Sequence, residues 1–204
     1  MQKLTYLIFT LALVLFTVWG CSKEEAPSPN VGELSLESYT LSVRRMVDGE
    51  SQLKSIESSP SDGMAKNLIE MKKQSGSLII TLNIPANLAT GNDPESLYLA
   101  ITNTEDSEAP YKSETLKSYS TCLPANCIHM KAHSVVSYSV HAKPDRIYYE
   151  SGRTLRQGFV HLVREGNMLA GELKGLQLID KDKTHESIYL NGTFRADLGE
   201  DGLR

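Results

Sequence analysis

The feature that most constrains this fold is an alternation of apolar and polar side chains that returns in short segments along the chain. In the clearest segment, residues 77–84, an aliphatic side chain occupies every second position, at Leu78, Ile80, Leu82 and Ile84. Successive side chains of a strand point to opposite faces, so one face of this segment is apolar throughout. The pattern predicts a β-strand that buries one face and ends at Pro85.

Similar segments predict further strands, separated by turn-forming residues. They cover residues 39–46, 97–101, 134–141, 156–164, 169–173 and 188–198. Residues 64–73 fit neither period cleanly and could form a short helix, but a hairpin partner follows them, so we expect a strand there as well. Turn signals between them include Gly91-Asn92-Asp93-Pro94 and the charged run 180–183. About seven to nine short strands with turns between them indicate an all-β fold, either an antiparallel sandwich or a meander.

Two of these segments share a Leu-x-Gly-x-apolar pattern. One begins at Leu169 and contains Gly171, and the other begins at Leu190 and contains Gly192. Equivalent strands of a meander would produce such a pair. Glycine at an inward position makes room for a closely packed neighbour, so we expect close contacts at both glycines.

The N-terminus has the layout of a secretory signal peptide. Lys3 is followed by residues 4–20, which carry no charged side chain and end in Gly20. This run is shorter than the roughly 20 apolar residues that a membrane-spanning helix needs, and it ends where a processing enzyme could cut. We therefore expect residues 1–20 to be a removed signal peptide.

The segment Val18-Trp19-Gly20-Cys21 resembles the lipobox of bacterial lipoproteins, although Trp19 stands where that pattern usually has a small residue. The resemblance implies that cleavage leaves Cys21 first and that acyl chains such as palmitate are attached to it. Several acyl chains on one residue anchor a protein far more firmly than one chain does. The expected partner of Cys21 is therefore the membrane.

Residues 21–30 combine the lipidated cysteine with a flexible tether. The segment is polar and contains Pro27 and Pro29. Its Lys23-Glu24-Glu25 resembles the tract that exports some Gram-negative lipoproteins to the outer face of the outer membrane, and Ser22 resembles an outer-membrane sorting residue. Alternatively, these charges are a solvated spacer and the body faces the periplasm.

Residues 31–204 are long enough for one β-rich domain with its own core. The formal charge of −4 leaves no basic face for nucleic acid. Cys122 and Cys127 are the other two cysteines of a chain predicted to leave the cytoplasm, which favours a small disulfide loop.

Other candidate sites carry weak signals. His129 and His133 could bind zinc with the cysteines, but their spacing matches no strong zinc motif, and His141 lies about 26 Å beyond His133 if the chain is extended. We therefore predict no metal and no cofactor. Ser51 and Lys54 match the Ser-x-x-Lys pattern of penicillin-binding proteins, but the other motifs of that family are missing from the sequence.

Three further features have ordinary explanations. Asp180 and Asp182 could chelate calcium, although the alternating lysines favour a solvated turn. Asn191-Gly192-Thr193 fits a glycosylation sequon, which means little in a bacterial strand. The tyrosines of the body are either contact residues or simply good strand formers.

The body of the chain resembles uncharacterised β-rich domains of bacterial lipoproteins. The resemblance rests on Gly76–Leu82, on the strand with Gly171 and on the closing Asn191-Gly192-Thr193-Phe194, and Glu172-Leu173 departs from the pattern. It implies a fold and a location but no activity.

These observations predict an outer-membrane, lipid-anchored, surface-displayed lipoprotein without catalytic residues. We expect it to bind an unknown extracellular ligand or outer-membrane protein partner. One alternative is a periplasm-facing protein that assists or stabilises envelope assembly. The other is a hydrolase without sequence motifs, which would show a cleft with two or more titratable groups of shifted pKa.

Overall fold

The computed structural model describes the β-rich body with several gaps. The described residues are 37–58, 68–74, 76–89, 93–104, 109–127, 129–141, 146–151, 158–180, 182 and 186–199. The predicted signal peptide, the lipidation site at Cys21 and the tether lie outside these residues.

The described residues form eleven strands and one helical turn. The strands are β1 (Ser38–Val47), β2 (Glu50–Ser58), β3 (Ile69–Gln74), β4 (Ser77–Ile84), β5 (Glu95–Asn103), β6 (Lys117–Ser120), β7 (Ala132–Val140), β8 (Ile147–Ser151), β9 (Phe159–Glu165), β10 (Met168–Asp180) and β11 (Ser187–Asp197), and the turn is α1 (Pro124–Cys127). All strand pairs are antiparallel, and the eleven strands join into one sheet. Nine of them follow the order β2-β1-β11-β10-β8-β7-β5-β4-β3, while β9 pairs with β10 and β6 pairs with β9. The predicted all-β antiparallel class is confirmed.

The predicted strand count was too low because β2, β6 and β8 were missed. The first half of β2 is mostly exposed on both faces, so its sequence has no apolar alternation to detect. β6 has four residues and β8 has five, which is too short for a clear period. Their neighbours in the sheet, rather than their own sequences, determine these strands.

The long strand β10 is the branch point of the sheet, because it pairs with three other strands. Along one edge it pairs with β11, and along the other it pairs first with β9 and then with β8. The register shifts between Leu173 and Leu176, where Gly175 has a φ of 62°. Both leucines are buried, so the bulge moves the inward face of β10 from odd to even positions.

The two glycine motifs are paired with each other in the sheet. Gly171 lies opposite Phe194, and Leu173 lies opposite Gly192. A Cβ atom on Gly171 would lie 2.2 Å from the Phe194 ring, and one on Gly192 would lie 2.3 Å from the carbonyl oxygen of Thr40. The close contacts expected at both glycines are present.

The two wings of the sheet face each other across one core. Tyr39 of β1 donates a hydrogen bond to the backbone carbonyl of Asn83 on β4, at 2.9 Å, although five strands separate β1 from β4 in the sheet. Buried side chains of both wings belong to one cluster. This packing is consistent with a sandwich made by one folded sheet.

Candidate functional site

Cys122 and Cys127 are joined as a disulfide beside the core. Their Cα atoms are 5.9 Å apart, and both side chains are buried. α1 fills most of the loop between them, and the Cys127 amide donates to the Leu123 carbonyl. The bridge therefore closes one helical turn.

The histidines considered as metal ligands lie in different settings. His129 is exposed in a turn, while His133 on β7 donates from Nδ1 to the Met130 carbonyl at 2.9 Å. His141 follows the other end of β7. Within the described ranges, no three histidine, cysteine or carboxylate side chains are arranged to hold a metal ion.

Ser51 and Lys54 are kept apart by the strand that carries them. Both lie on β2, three positions apart, so their side chains leave opposite faces of the sheet. Ser51 pairs with Met46, and Lys54 pairs with Val43, which is buried. A lysine on the far face cannot activate this serine.

The two other weak motifs have structural roles. The carboxylate of Asp180 is buried and accepts from the backbone N–H of Asp182 at 2.8 Å, which closes a turn. The side-chain oxygen of Asn191 accepts from the Gly175 N–H at 2.7 Å and thereby supports the bulge in β10.

A polar cluster missed by the sequence analysis lies on the face of the sheet opposite the core. We call Ser96, Ser139, His141 and Arg146 the outer-face cluster. Ser96 of β5 pairs directly with Ser139 of β7, and their hydroxyl oxygens are 2.8 Å apart. His141 Nε2 lies 3.1 Å from Ser96 Oγ and 3.4 Å from Ser139 Oγ.

Arg146 completes the outer-face cluster from the start of β8. Its Nη2 donates to Ser139 Oγ at 3.0 Å and to His141 Nε2 at 3.3 Å. Its guanidinium carbon lies 4.7 Å from the centre of the Tyr148 ring, within range of a cation–π contact. Tyr148 is 39% exposed, so the charge and a flat ring are presented together at the surface.

The contacts of His141 determine which of its nitrogens carries the proton. A guanidinium nitrogen can only donate, so Nε2 must accept from Arg146, and the neutral ring carries its proton on Nδ1. Burial lowers the pKa of His141, and the positive charge of Arg146 lowers it further. Both causes favour the neutral form of the ring.

A second polar cluster, formed by Tyr149, Glu186 and Arg45, lies on the opposite, inner face of the sheet. The hydroxyl of Tyr149 is 3.4 Å from Glu186, which also pairs with Arg45 at 3.5 Å. Burial raises the pKa of Tyr149 to about 12 against the opposing effect of Arg45, and Glu186 and Asp180 add to the rise. Tyr149 therefore stays neutral and donates to the carboxylate.

Arg45 also borders an open pocket at the β1–β2 turn. The pocket has a volume of about 430 Å³ and is lined by Arg45, Val47, Asp48, Glu50 and Gln52. Its lining contains carboxylates and a guanidinium together, so it favours neither sign of charge.

Groups with shifted pKa do not converge on one cleft in the described part of the chain. Burial raises the pKa of Tyr39, while a hydrogen bond with Ser58 lowers it by a smaller amount. Tyr39 lies on β1, six residues before the Arg45 that contacts Tyr149, so the two tyrosines are far apart along the strand direction. Tyr149 faces the core side, while His141 belongs to the opposite face. These three groups therefore lie on two different faces of the sheet.

Sequence reasoning missed the outer-face cluster because it depends on register. The sequence shows Ser137, Ser139 and His141 at alternate positions, which indicates a polar face. The sequence does not reveal that Ser96 pairs with Ser139 or that Arg146 contacts Ser139 and His141, because these contacts join separate parts of the chain.

Among the described residues, no helix is both long enough and apolar enough to cross a membrane. No family model, curated protein or solved structure matches this chain.

Proposed function

We propose that this chain is a non-enzymatic envelope lipoprotein, anchored through lipid on Cys21, whose β-domain is displayed at the cell surface and binds a ligand or partner there. The observation that carries the binding role is the outer-face cluster with Tyr148. It combines a guanidinium, two hydroxyls and an exposed aromatic ring on paired strands. Arginine and tyrosine are enriched among residues that dominate binding energy.

The anchoring role is supported by the sequence. Residues 4–20 form an uncharged run that ends at Gly20, and Cys21 follows directly. A polar tether then leads into the domain, and such a segment gives a displayed domain reach and freedom to turn. Export to the surface is supported by the Lys23-Glu24-Glu25 tract.

The anchor is tested by growing cells with radiolabelled palmitate. We expect label on the native protein and no label on Cys21→Ala. A matched control is the double variant Cys122→Ser/Cys127→Ser, which should keep the label because its cysteines lie in the domain. Label that persists on Cys21→Ala, or no label on the native protein, would contradict the proposal.

One observation favours a second candidate, a serine hydrolase. Ser96 Oγ lies 3.1 Å from His141 Nε2, which is a nucleophile-to-base distance. An aryl or alkyl fluorophosphonate tests this candidate: the Ser96 proton would pass to Nε2, Oγ would bond to phosphorus and fluoride would leave. Labelling that is lost in Ser96→Ala and kept in Ser139→Ala supports the hydrolase, and no labelling supports the binding protein.

A further inference from the structure

Arg146 carries a charge that no carboxylate balances in the described part of the chain. Its partners there are the Ser139 hydroxyl, the His141 ring nitrogen and the Tyr148 ring, and all three are neutral. Arginine remains charged at every relevant pH. A guanidinium set among neutral acceptors leaves a local positive potential at the surface.

Arg146 also has donors to spare. The hydrogen bonds that it makes within the described ranges use Nη2 only. The guanidinium has N–H groups on two other nitrogens, in a planar fork that matches the oxygens of an oxyanion. Arg146 is exposed, so a ligand can approach its guanidinium group from solvent.

The two serine hydroxyls add donors that can reorient. Ser96 and Ser139 now share hydrogen bonds with each other and with His141. A hydroxyl hydrogen rotates to suit its partner, so either serine can donate to an incoming oxygen. Ser139 is 5% exposed and accepts from Arg146, whereas Ser96 is only half-buried, so Ser96 is the more accessible of the two donors.

From this arrangement we propose that the outer-face cluster is an oxyanion-binding site that recognises a sulfate, phosphate or carboxylate group of a ligand. The inference deepens the proposed function and rests on it, because it names the chemistry of the ligand that the cluster binds. Arg146 supplies the charge and the planar fork, and Ser96 and Ser139 supply hydroxyl donors. Tyr148 presents a flat apolar surface to the part of the ligand that carries the anion.

His141 couples the site to pH. A bound anion offsets the charge of Arg146, so it favours protonation of His141, which then adds a second positive charge and an Nε2 donor. By linkage, the anion binds more tightly as pH falls through the titration of His141. The register places Tyr98, Tyr148 and Glu150 on this face with Arg146, whereas Glu95 and Tyr138 face the core. Asp93 lies beside Pro94, whose carbonyl accepts from the His141 amide.

The test is an NMR titration of the histidine ring protons in the protein purified from cells in a neutral detergent, with His141→Gln to assign the signal. Sodium sulfate, phosphate or acetate replaces sodium chloride at constant ionic strength. We expect at least one oxyanion to shift the His141 signal saturably and to raise its titration midpoint. Preference for sulfate and phosphate over acetate would identify a tetrahedral anion, and the reverse a carboxylate.

Two variants decide whether the response belongs to the site. Arg146→Gln should abolish saturable binding, and because Arg146 is exposed this variant should keep the fold, which circular dichroism checks. Arg44→Gln is the matched control, since Arg44 is also an exposed arginine of the sheet and should bind as the native protein does. No saturable shift with any of the three anions, or equal binding by Arg146→Gln, would overturn the inference, while palmitate labelling separately decides the anchor.

Discussion

Tyr148 and Tyr149 are neighbours on β8, but their side chains lie on opposite faces of the sheet and make different contacts. Tyr148 lies beside Arg146 at the surface, whereas Tyr149 is fully buried and donates to Glu186. The sequence displays both tyrosines, but alternation of one short strand does not say which one is inside. Burial by neighbouring strands decides it, and this is why the buried and exposed tyrosines of the body could not be told apart from the sequence.

Tyr149 should make stability depend on alkaline pH. Its folded pKa of about 12 lies above the ordinary tyrosine value of 10.0, so its contribution is complete below pH 10 and is lost as pH rises through about 12. We expect the native protein to lose on the order of 2 kcal/mol relative to Tyr149→Phe across that window. Denaturant unfolding of both proteins at several alkaline pH values measures the difference, and parallel curves would contradict the assignment.

Arg146 should control the titration of His141 when no oxyanion is present. Burial and the guanidinium both lower the pKa of His141, so Arg146→Gln removes only the second cause. We expect the NMR midpoint of His141 to rise in this variant and to stay below the ordinary value for histidine. Arg44→Gln should leave the midpoint unchanged, and an unchanged midpoint in Arg146→Gln would show that the contact is not formed.

Gly171 should not tolerate a side chain. A Cβ atom there would lie 2.2 Å from the ring of Phe194, which is buried. Overpacking of this kind typically costs about 1–3 kcal/mol, so Gly171→Ala should lower the free energy of unfolding by that amount. Phe194→Leu shortens the opposing side chain, and the double variant should lose less than the sum of the two single losses; simple additivity would argue against the contact.

At the scale of the element, the sequence predicts the strands that alternate over many residues. The predicted segments at 77–84 and 97–101 correspond to β4 and β5, where every second residue is buried in the core and Ile79 is also buried on the opposite face. It does not predict β2, β6 or β8, where exposure or length removes the period. The sequence also does not predict the bulge of β10, where the positions that face the core change from odd to even residue numbers.

The disulfide should stabilise only its own element. Because a loop as short as 122–127 removes little chain entropy from the unfolded state, we expect reduction to cost roughly 2 kcal/mol or less. Hydrogen exchange should increase in α1 while β10 and β11 keep their protection. Global unfolding on reduction would contradict this view, and Cys122→Ser/Cys127→Ser provides a version that needs no reductant.

At the scale of the whole molecule, the fold class follows from the sequence and the topology does not. Period-two segments separated by turns indicate antiparallel strands, and the sheet confirms this. Which strands pair depends on contacts between distant parts of the chain, such as β1 with β11 and β5 with β7. The outer-face cluster depends on those pairings, so it becomes visible only in the folded sheet.

Surface display is the central claim of this account, and protease accessibility on intact cells tests it most directly. Cells that carry the palmitate-labelled native protein are treated with proteinase K, with lysed cells as the control for intrinsic susceptibility and a periplasmic protein as the control for cell integrity. We expect the β-domain to be removed from intact cells while the periplasmic control survives. Protection in intact cells together with degradation after lysis would contradict surface display and place the domain in the periplasm.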